Sequence, residues 1–229
     1  MIKHLALIMD GNRRWAKKRL LTPWKGHQEG VQAAQKVLNY CLNKQIKYLS
    51  LYTFSLENFN RSPEEKSFLF EILAHEAHKR LSELIIKGIR ICFIGDRSLF
   101  PASVQSTIEE VEHETKHLDT LQVNLLFCYG GQQEIAHACK AIAQDVQAGI
   151  IKLDQINDTL VNSYLWTGAI PEPELIIRTG GRNRLSNFLL FQAAYSELYF
   201  LDCLWPDIQE NDLDTALGYF EEVTRNFGA

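Results

Sequence analysis

The sequence predicts an α/β fold: a central, mostly parallel sheet flanked by helices. Three observations predict it. Short apolar runs recur at 5–9, 48–54, 89–94, 123–128 and 175–177, stretches with apolar residues at helical spacing separate them, and polar or glycine-containing turns follow them directly. Strands covered on both faces are continuously apolar, and strand-helix alternation is the pattern of parallel strands joined by crossover helices. Ligands of such sheets bind in the crevice beyond the carboxyl ends of the strands. The turns after the strands are therefore where chemistry is expected.

The first run stops at Asp10, Gly11, Asn12, Arg13, Arg14 and Trp15. Guanidinium forks match phosphate oxygens, a carboxylate among them can hold a divalent cation, and backbone amides at a helix start add donors. These residue types point to a diphosphate site. Val31, Ala34, Leu38, Cys41 and Leu42 then predict a helix over 28–44. The second strand, 48–54, ends in Ser55, Leu56, Glu57, Asn58, Phe59, Asn60 and Arg61. Ser62, Pro63 and Glu65 form a helix start, with a hydroxyl cap, a proline in the first turn and a carboxylate three residues after the cap. That helix is expected to reach about residue 87.

Strand 89–94 gives way to Gly95 and Asp96, helix 104–118 follows, and strand 123–128 leads through Tyr129, Gly130 and Gly131 into helix 133–147. A short polar helix is expected near 154–164, and Pro171 and Pro173 punctuate the entry into strand 175–177. Directly after it come Arg178, Thr179, Gly180, Gly181, Arg182, Asn183, Arg184, Leu185, Ser186 and Asn187, with three arginines within seven positions. A lone arginine-rich loop is usually solvated surface. Three loops, at 10–15, 55–61 and 178–187, each after a predicted strand, converge in this fold with charge enough for more than one diphosphate.

With 229 residues and no compositional seam, the chain reads as one domain, 1–229. Its net charge of -4 argues against general nucleic-acid binding, and the bunched basic residues suit a small anionic ligand instead. Five cysteines without a CxxC pair suggest buried thiols in a reducing cytoplasm. No run approaches the roughly 20 apolar residues of a membrane span, although contact with a membrane surface stays open. The HETKH pattern at His113, Glu114 and His117 matches HExxH in form. Helical spacing puts Val104, Ile108, Val111 and Leu118 on one face and both histidines on the opposite, solvated one, where a catalytic zinc has no cleft.

MDGNRRWA, LYTFSLENFNRS, RTGGRNRLSNFLLFQ and AYSELYFLDCLWPD resemble, in order and over nearly the whole chain, the motifs of the cis-prenyltransferases, the isoprenyl transferase family that includes undecaprenyl diphosphate synthase. The resemblance implies six strands, a hydrophobic tunnel and Mg2+-dependent condensation of isopentenyl diphosphate with an allylic diphosphate, farnesyl or geranyl. Undecaprenyl diphosphate, the lipid carrier for cell-wall glycans, is the implied product. By resemblance, Asp10 is catalytic and holds Mg2+ with Glu197, and Gly11, Asn12, Arg13, Arg14 and His27 surround the leaving diphosphate. Arg178, Arg184, Leu185 and Ser186 match the residues for isopentenyl diphosphate. Asn58 matches the assigned proton acceptor, with Ser55, Leu56, Glu57, Phe59 and Arg61 around it. A neutral amide is a very poor base, so Asn58 is read as orienting a reactant while a diphosphate oxygen or water takes the proton. Trp15 and Phe59 are expected to cover the reacting carbons.

The resemblance also implies a homodimer, with 186–205 as its interface and Arg225 to Gly228 reaching a diphosphate across it. A non-catalytic accessory subunit is the competing reading, disfavoured because Asp10, Asn58 and Arg178 are present. Departures from the family pattern are Arg13, where glycine is common; Pro23, where an arginine is common; and Arg182 and Asn183, where an acid and a histidine are common. In the strand before YGG, Leu126 and Phe127 replace small alanines. Side chains alternate along a strand, so one of the two should face the tunnel and shorten it. A product shorter than the usual C55 chain is the resulting alternative.

Overall fold

The structure is a computed structural model that describes residues 2–223; Arg225, Asn226, Phe227 and Gly228 lie outside the described residues. β1 (His4–Ile8), β2 (Tyr48–Ser55), β3 (Ile89–Ile94), β4 (Leu121–Tyr129), β5 (Leu175–Arg178) and β6 (Glu197–Phe200) form one sheet in the order β3-β4-β2-β1-β5-β6. Every described pairing is parallel. The helices are α1 (Asn12–Lys18), α2 (Pro23–Asn43), α3 (Pro63–Lys79), α4 (Leu81–Ile86), α5 (Ala102–Thr115), α6 (Gly131–Gln147), α7 (Asp158–Tyr164) and α8 (Glu210–Glu222).

Alternation along the strands divides the core into two layers. Leu5, Leu7, Leu51, Leu125, Phe127 and Ile177 face one side, with Val37 and Tyr40 of α2, Phe70 of α3 and Val111 of α5. Ala6, Ile8, Leu126 and Ile176 face the other, against Tyr129, Phe188 and Leu189. Phe127 and Leu126 thus part to opposite faces, as alternation required.

Besides α8, which the sequence reading does not place, three elements differ from it. α2 begins at Pro23 rather than 28 and runs through Gly26 and Gly30. Each internal glycine costs about 1 kcal/mol of helix propensity, yet both are needed. A Cβ on Gly26 would lie 2.1 Å from the Asn12 carbonyl, and one on Gly30 would lie 2.6 Å from Asn12 Oδ1. Fully buried Val37, Tyr40 and Cys41 return roughly 1.5–3 kcal/mol for each large side chain, which outweighs that cost. The long helix expected to 87 breaks at Arg80, whose guanidinium reaches Glu76 (3.1 Å) and Glu83 (3.9 Å) on either side. The break lets α4 bury Leu84 before Gly88 (φ 69) turns the chain into β3. The sixth strand, β6, is the sheet edge inside the apolar stretch 186–205.

β2 and β4 hold a pair of compensating irregularities near their carboxyl ends. The register steps from Tyr52↔Leu126 to Phe54↔Phe127 and back at Ser55↔Tyr129, so Thr53 is extra on one strand and Cys128 (φ 50) on the other. Such bulges re-aim side chains beside functional sites. Here they lie directly under the crevice.

Candidate active site

The carboxyl ends of β1, β2 and β5 open into a crevice of two adjoining cavities. One, of about 540 Å³, is lined by Asp10, Ser55, Asn58, Arg61, Arg178 and Ser186 among others. The second, of about 350 Å³, is lined by Gly11, Arg13 and Arg14, and shares Met9, Asp10, Asn12, His27 and Arg61 with the first. A third, apolar cavity of about 180 Å³ lies below and opens at Met9, Asn12, His27, Thr53 and Leu69.

Asp10 stands at the junction. Its Oδ1 is ion-paired with Arg14 Nη2 (3.0 Å), and its Oδ2 accepts from Arg178 Nη2 (3.0 Å). Arg178, 4% exposed on its side chain, donates through Nη1 to Ser186 Oγ (2.7 Å) and to the Arg184 carbonyl, while its Nε is buried without a partner. Arg184 lies at the rim, with Nε 3.3 Å from the same Ser186 hydroxyl. Arg14 also donates to the Gly180 carbonyl (2.7 Å). Gly180 (φ 90) cannot carry a Cβ, which would lie 2.4 Å from Arg14 Nη2. The backbone ties match: Thr179 Oγ1 and Trp205 N–H both donate to the Asp10 carbonyl (2.8 and 3.1 Å).

On the opposite wall, buried Glu65 gathers Arg61 (3.1 Å), His27 (3.4 Å) and Arg13 (4.0 Å). Burial first, then the Arg61 and Arg13 charges, push the His27 imidazolium below its ordinary range, with Glu65 opposing them. His27 is therefore neutral at pH 7. Burial likewise lowers Arg61. Asn58 Oδ1 accepts from the Ser55 N–H (3.2 Å) in a capping box, so the amide group left for the crevice is a donor. Asn187, in left-handed backbone (φ 66), ties the loops together: its Nδ2 donates to Glu57 (2.8 Å) and Gln133 (3.0 Å).

The structure thus brings together Asp10, Gly11, Asn12, Arg13, Arg14, His27, Ser55, Glu57, Asn58, Arg61, Arg178 and Ser186, with Arg184 at the rim. It does not do so for the others. Trp15 turns outward, donating from Nε1 to Asp207 (2.7 Å) with Arg19 stacked on its ring (4.1 Å). Phe59 packs edge-on against Phe54 (5.2 Å), and Leu56 and Leu185 pack on the core layers, so none of the three caps the crevice. Glu197 is level with Leu175 and Leu5, three rungs of about 3.3 Å below Arg178, and does not join Asp10 within one chain. Glu65 lies outside the three predicted loops, and Asn187 lies inside the third but has no role assigned by the resemblance. Glu65 reads in sequence as an ordinary helix-start carboxylate; its place directly after the Arg61 turn was the available signal.

The family model described as undecaprenyl diphosphate synthase matches residues 8–228. The chain is 40% identical over 226 residues to the ditrans,polycis-undecaprenyl-diphosphate synthase ((2E,6E)-farnesyl-diphosphate specific) of Micrococcus luteus, covering 99% of this chain and 91% of that protein. It is 39% identical over 228 residues to the tritrans,polycis-undecaprenyl-diphosphate synthase (geranylgeranyl-diphosphate specific) of Pyrococcus horikoshii, covering 99% and 86%. Among solved structures, lavandulyl diphosphate synthase from Lavandula x intermedia in complex with dimethylallyl diphosphate superposes with a TM-score of 0.96 at 35% identity, covering 100% of this chain and 98% of that one.

Proposed function

This chain belongs to the undecaprenyl diphosphate synthase family of cis-prenyltransferases, and from that premise we propose that it condenses isopentenyl diphosphate with an allylic diphosphate, farnesyl or geranyl, with Mg2+. The observation that carries the reading is the Asp10 carboxylate held between Arg14 and Arg178 where two polar cavities meet above an apolar one. In this reading Gly11, Asn12, Arg13, Arg14 and neutral His27 surround the leaving diphosphate. Arg178, Arg184 and Ser186 take isopentenyl diphosphate. Prepositioned donors stabilise charge that builds on the departing oxygens without reorganising, which is where most of the rate comes from. Asn58 presents its Nδ2–H to a reactant, and a diphosphate oxygen or water takes the proton.

The donor set decides how a metal would fit. Among the described residues no group of three His, Cys, Asp or Glu could cage a metal ion, and Asp10 is one carboxylate, 29% exposed on its side chain. Mg2+ commonly keeps several waters and binds through one or two carboxylates plus substrate phosphates, so Asp10 suits it. When bound, Mg2+ supplies further charge at the departing oxygens. Glu197 can take part only from a second copy, so its metal role requires the homodimer, which does not itself depend on that role. Its position on edge strand β6 leaves it available for such pairing.

Diphosphate release from farnesyl or geranyl diphosphate plus isopentenyl diphosphate, with Mg2+ and with chelator, tests the reading. Release by the isolated chain, abolished by chelator, is expected; no release with either primer overturns it in favour of an accessory subunit. A second reading concerns product length, for which the relatives' names suggest undecaprenyl diphosphate. The apolar cavity favours a shorter chain. Its volume, about 180 Å³, is close to the roughly 150 Å³ cavity that accepts benzene. Phe127 lines it, within ring contact of Phe54, Phe70, Phe93 and Phe100.

A further inference from the structure

We infer that the turn between α1 and α2 is a docking surface for an anionic lipid bilayer. α1 ends in a closure in which the Leu20 N–H donates to the Lys17 carbonyl (3.2 Å) and the Leu21 N–H to the Ala16 carbonyl (2.9 Å). This closure puts its middle residue in left-handed backbone, where glycine is favoured. Here that residue is Leu20, φ 57 and 96% exposed, followed by Leu21 at 44%.

The same closure elsewhere is built differently. At the end of α2 the left-handed residue is polar Gln45 and the next, Ile46, is 0% exposed. Gly88 and Gly149 take the left-handed positions after α4 and α6. Among the described residues, the α1 turn alone places a large apolar side chain at such a position in solvent. At 96% exposure Leu20 gains next to no packing from the described residues.

Charge identifies the occupant. Residues 13–25 hold six basic residues and no acid in a chain of net charge -4. Lys17, Lys18, Arg19 and Lys25 are all exposed around the leucines. Asp207 pins Arg19 (2.9 Å), and Glu29 is the exposed acid next along α2. Trp24, half-buried against Phe68 (4.9 Å), completes the turn. A narrow apolar tip ringed by lysines suits headgroups above and acyl chains beneath, with an aromatic ring at the boundary. A protein interface would instead deplete lysine from its core, whereas here lysines ring the apolar tip. Because α1 begins at the crevice, docking here sets the crevice rim beside the bilayer.

The test is co-sedimentation of the full chain, without substrate, with vesicles of phosphatidylcholine alone or mixed with phosphatidylglycerol. It is therefore independent of the catalytic reading. The wild type is expected to partition onto the mixed vesicles, more weakly in high salt. Leu20→Gly with Leu21→Ser, and separately Lys17→Glu with Lys18→Glu, are each expected to weaken partitioning roughly tenfold or more. Leu20→Gly suits the left-handed backbone, so an unchanged or raised Tm separates lost docking from lost folding. The proposal is overturned if the wild type ignores phosphatidylglycerol, if both double variants bind like the wild type, or if the leucine variant changes only self-association by light scattering.

Discussion

The crevice and the apolar cavity share Met9, Asn12, His27, Thr53 and Leu69, yet they are held by different forces. In the crevice each side chain is aimed by a directed bond: Arg14 and Arg178 on Asp10, Asn187 on Glu57, Asn58 on Ser55. In the cavity the walls are alternate strand residues and helix faces, and the volume is whatever Phe54 and Phe127, backed by Phe70, leave. Directed bonds tolerate few substitutions but change little volume when lost. Packing tolerates many hydrophobic residues, but each swap changes the space. Chemistry should therefore fail through the crevice, and product length should move through the cavity.

The largest expected effect is on the crevice side. Asp10→Asn keeps the shape but removes the charge shared by Arg14 and Arg178, and is expected to lower diphosphate release on the order of 10³-fold. Its Tm should fall by only a few degrees, because Asp10 remains partly solvated and Thr179 and Trp205 still hold its carbonyl. A steady-state assay beside thermal unfolding checks this. A large loss of Tm with activity kept in proportion to folded protein would erase the distinction between the two regions.

The cavity side responds in the opposite sense. Phe127→Ala is expected to destabilise by about 3–5 kcal/mol, as a large-to-small core change, and to lengthen the product by at least one isoprene unit. Chromatography of the products and denaturant unfolding measure the two. If both proteins make only C50 to C55 chains, the shorter-product reading fails.

The same contrast governs what could be read from the residues. The turns at 10–15, 55–61 and 178–187 announce themselves because arginine, asparagine and glycine after an apolar run have few structural uses, and most of their polar residues meet in the crevice, although Asn60, Thr179, Arg182 and Asn183 do not line it. Trp15 escaped because its destination, Asp207, is 192 positions away in sequence. Glu197 escaped because a motif carries no strand register, and β6 places it at the amino end of the sheet. Five of the six strands were legible from their apolar runs, whereas their order in the sheet was not, because pairing is set by the crossovers. The α2 glycines were not, since their need arises only from Asn12 crossing beneath them. The cavity wall was legible as one of two residues, Leu126 or Phe127, of which the fold selects Phe127, and its other walls depend on where α3 breaks at Arg80.

The smallest of the expected effects is graded with pH and belongs to neither region. His4 lies in β1, wholly buried, with Nδ1 2.6 Å from the Pro171 carbonyl and Nε2 2.8 Å from Ser50 Oγ. A carbonyl can only accept, so Nδ1 carries the proton and Nε2 accepts from the Ser50 hydroxyl, which in turn accepts from Asn124 (3.1 Å). Burial pushes its pKa down to about 4 from 6.5. Between those values the unfolded chain binds the proton and the folded one does not, so stability is full above about pH 6.5 and falls as pH drops toward 4, by roughly 3 kcal/mol. Buried His27, lowered in the same direction, adds a loss of the same sign. His4→Gln should be less stable than the wild type at pH 7 but should lose less on acidification, because Gln does not titrate, while its pH profile of diphosphate release stays that of the wild type. Chemical unfolding at pH 7, 5.5 and 4.5 reads the slope. Parallel slopes for the two proteins would show that His4 keeps its proton in the fold, and that the hydrogen-bonded line from Pro171 to Asn124 is charged.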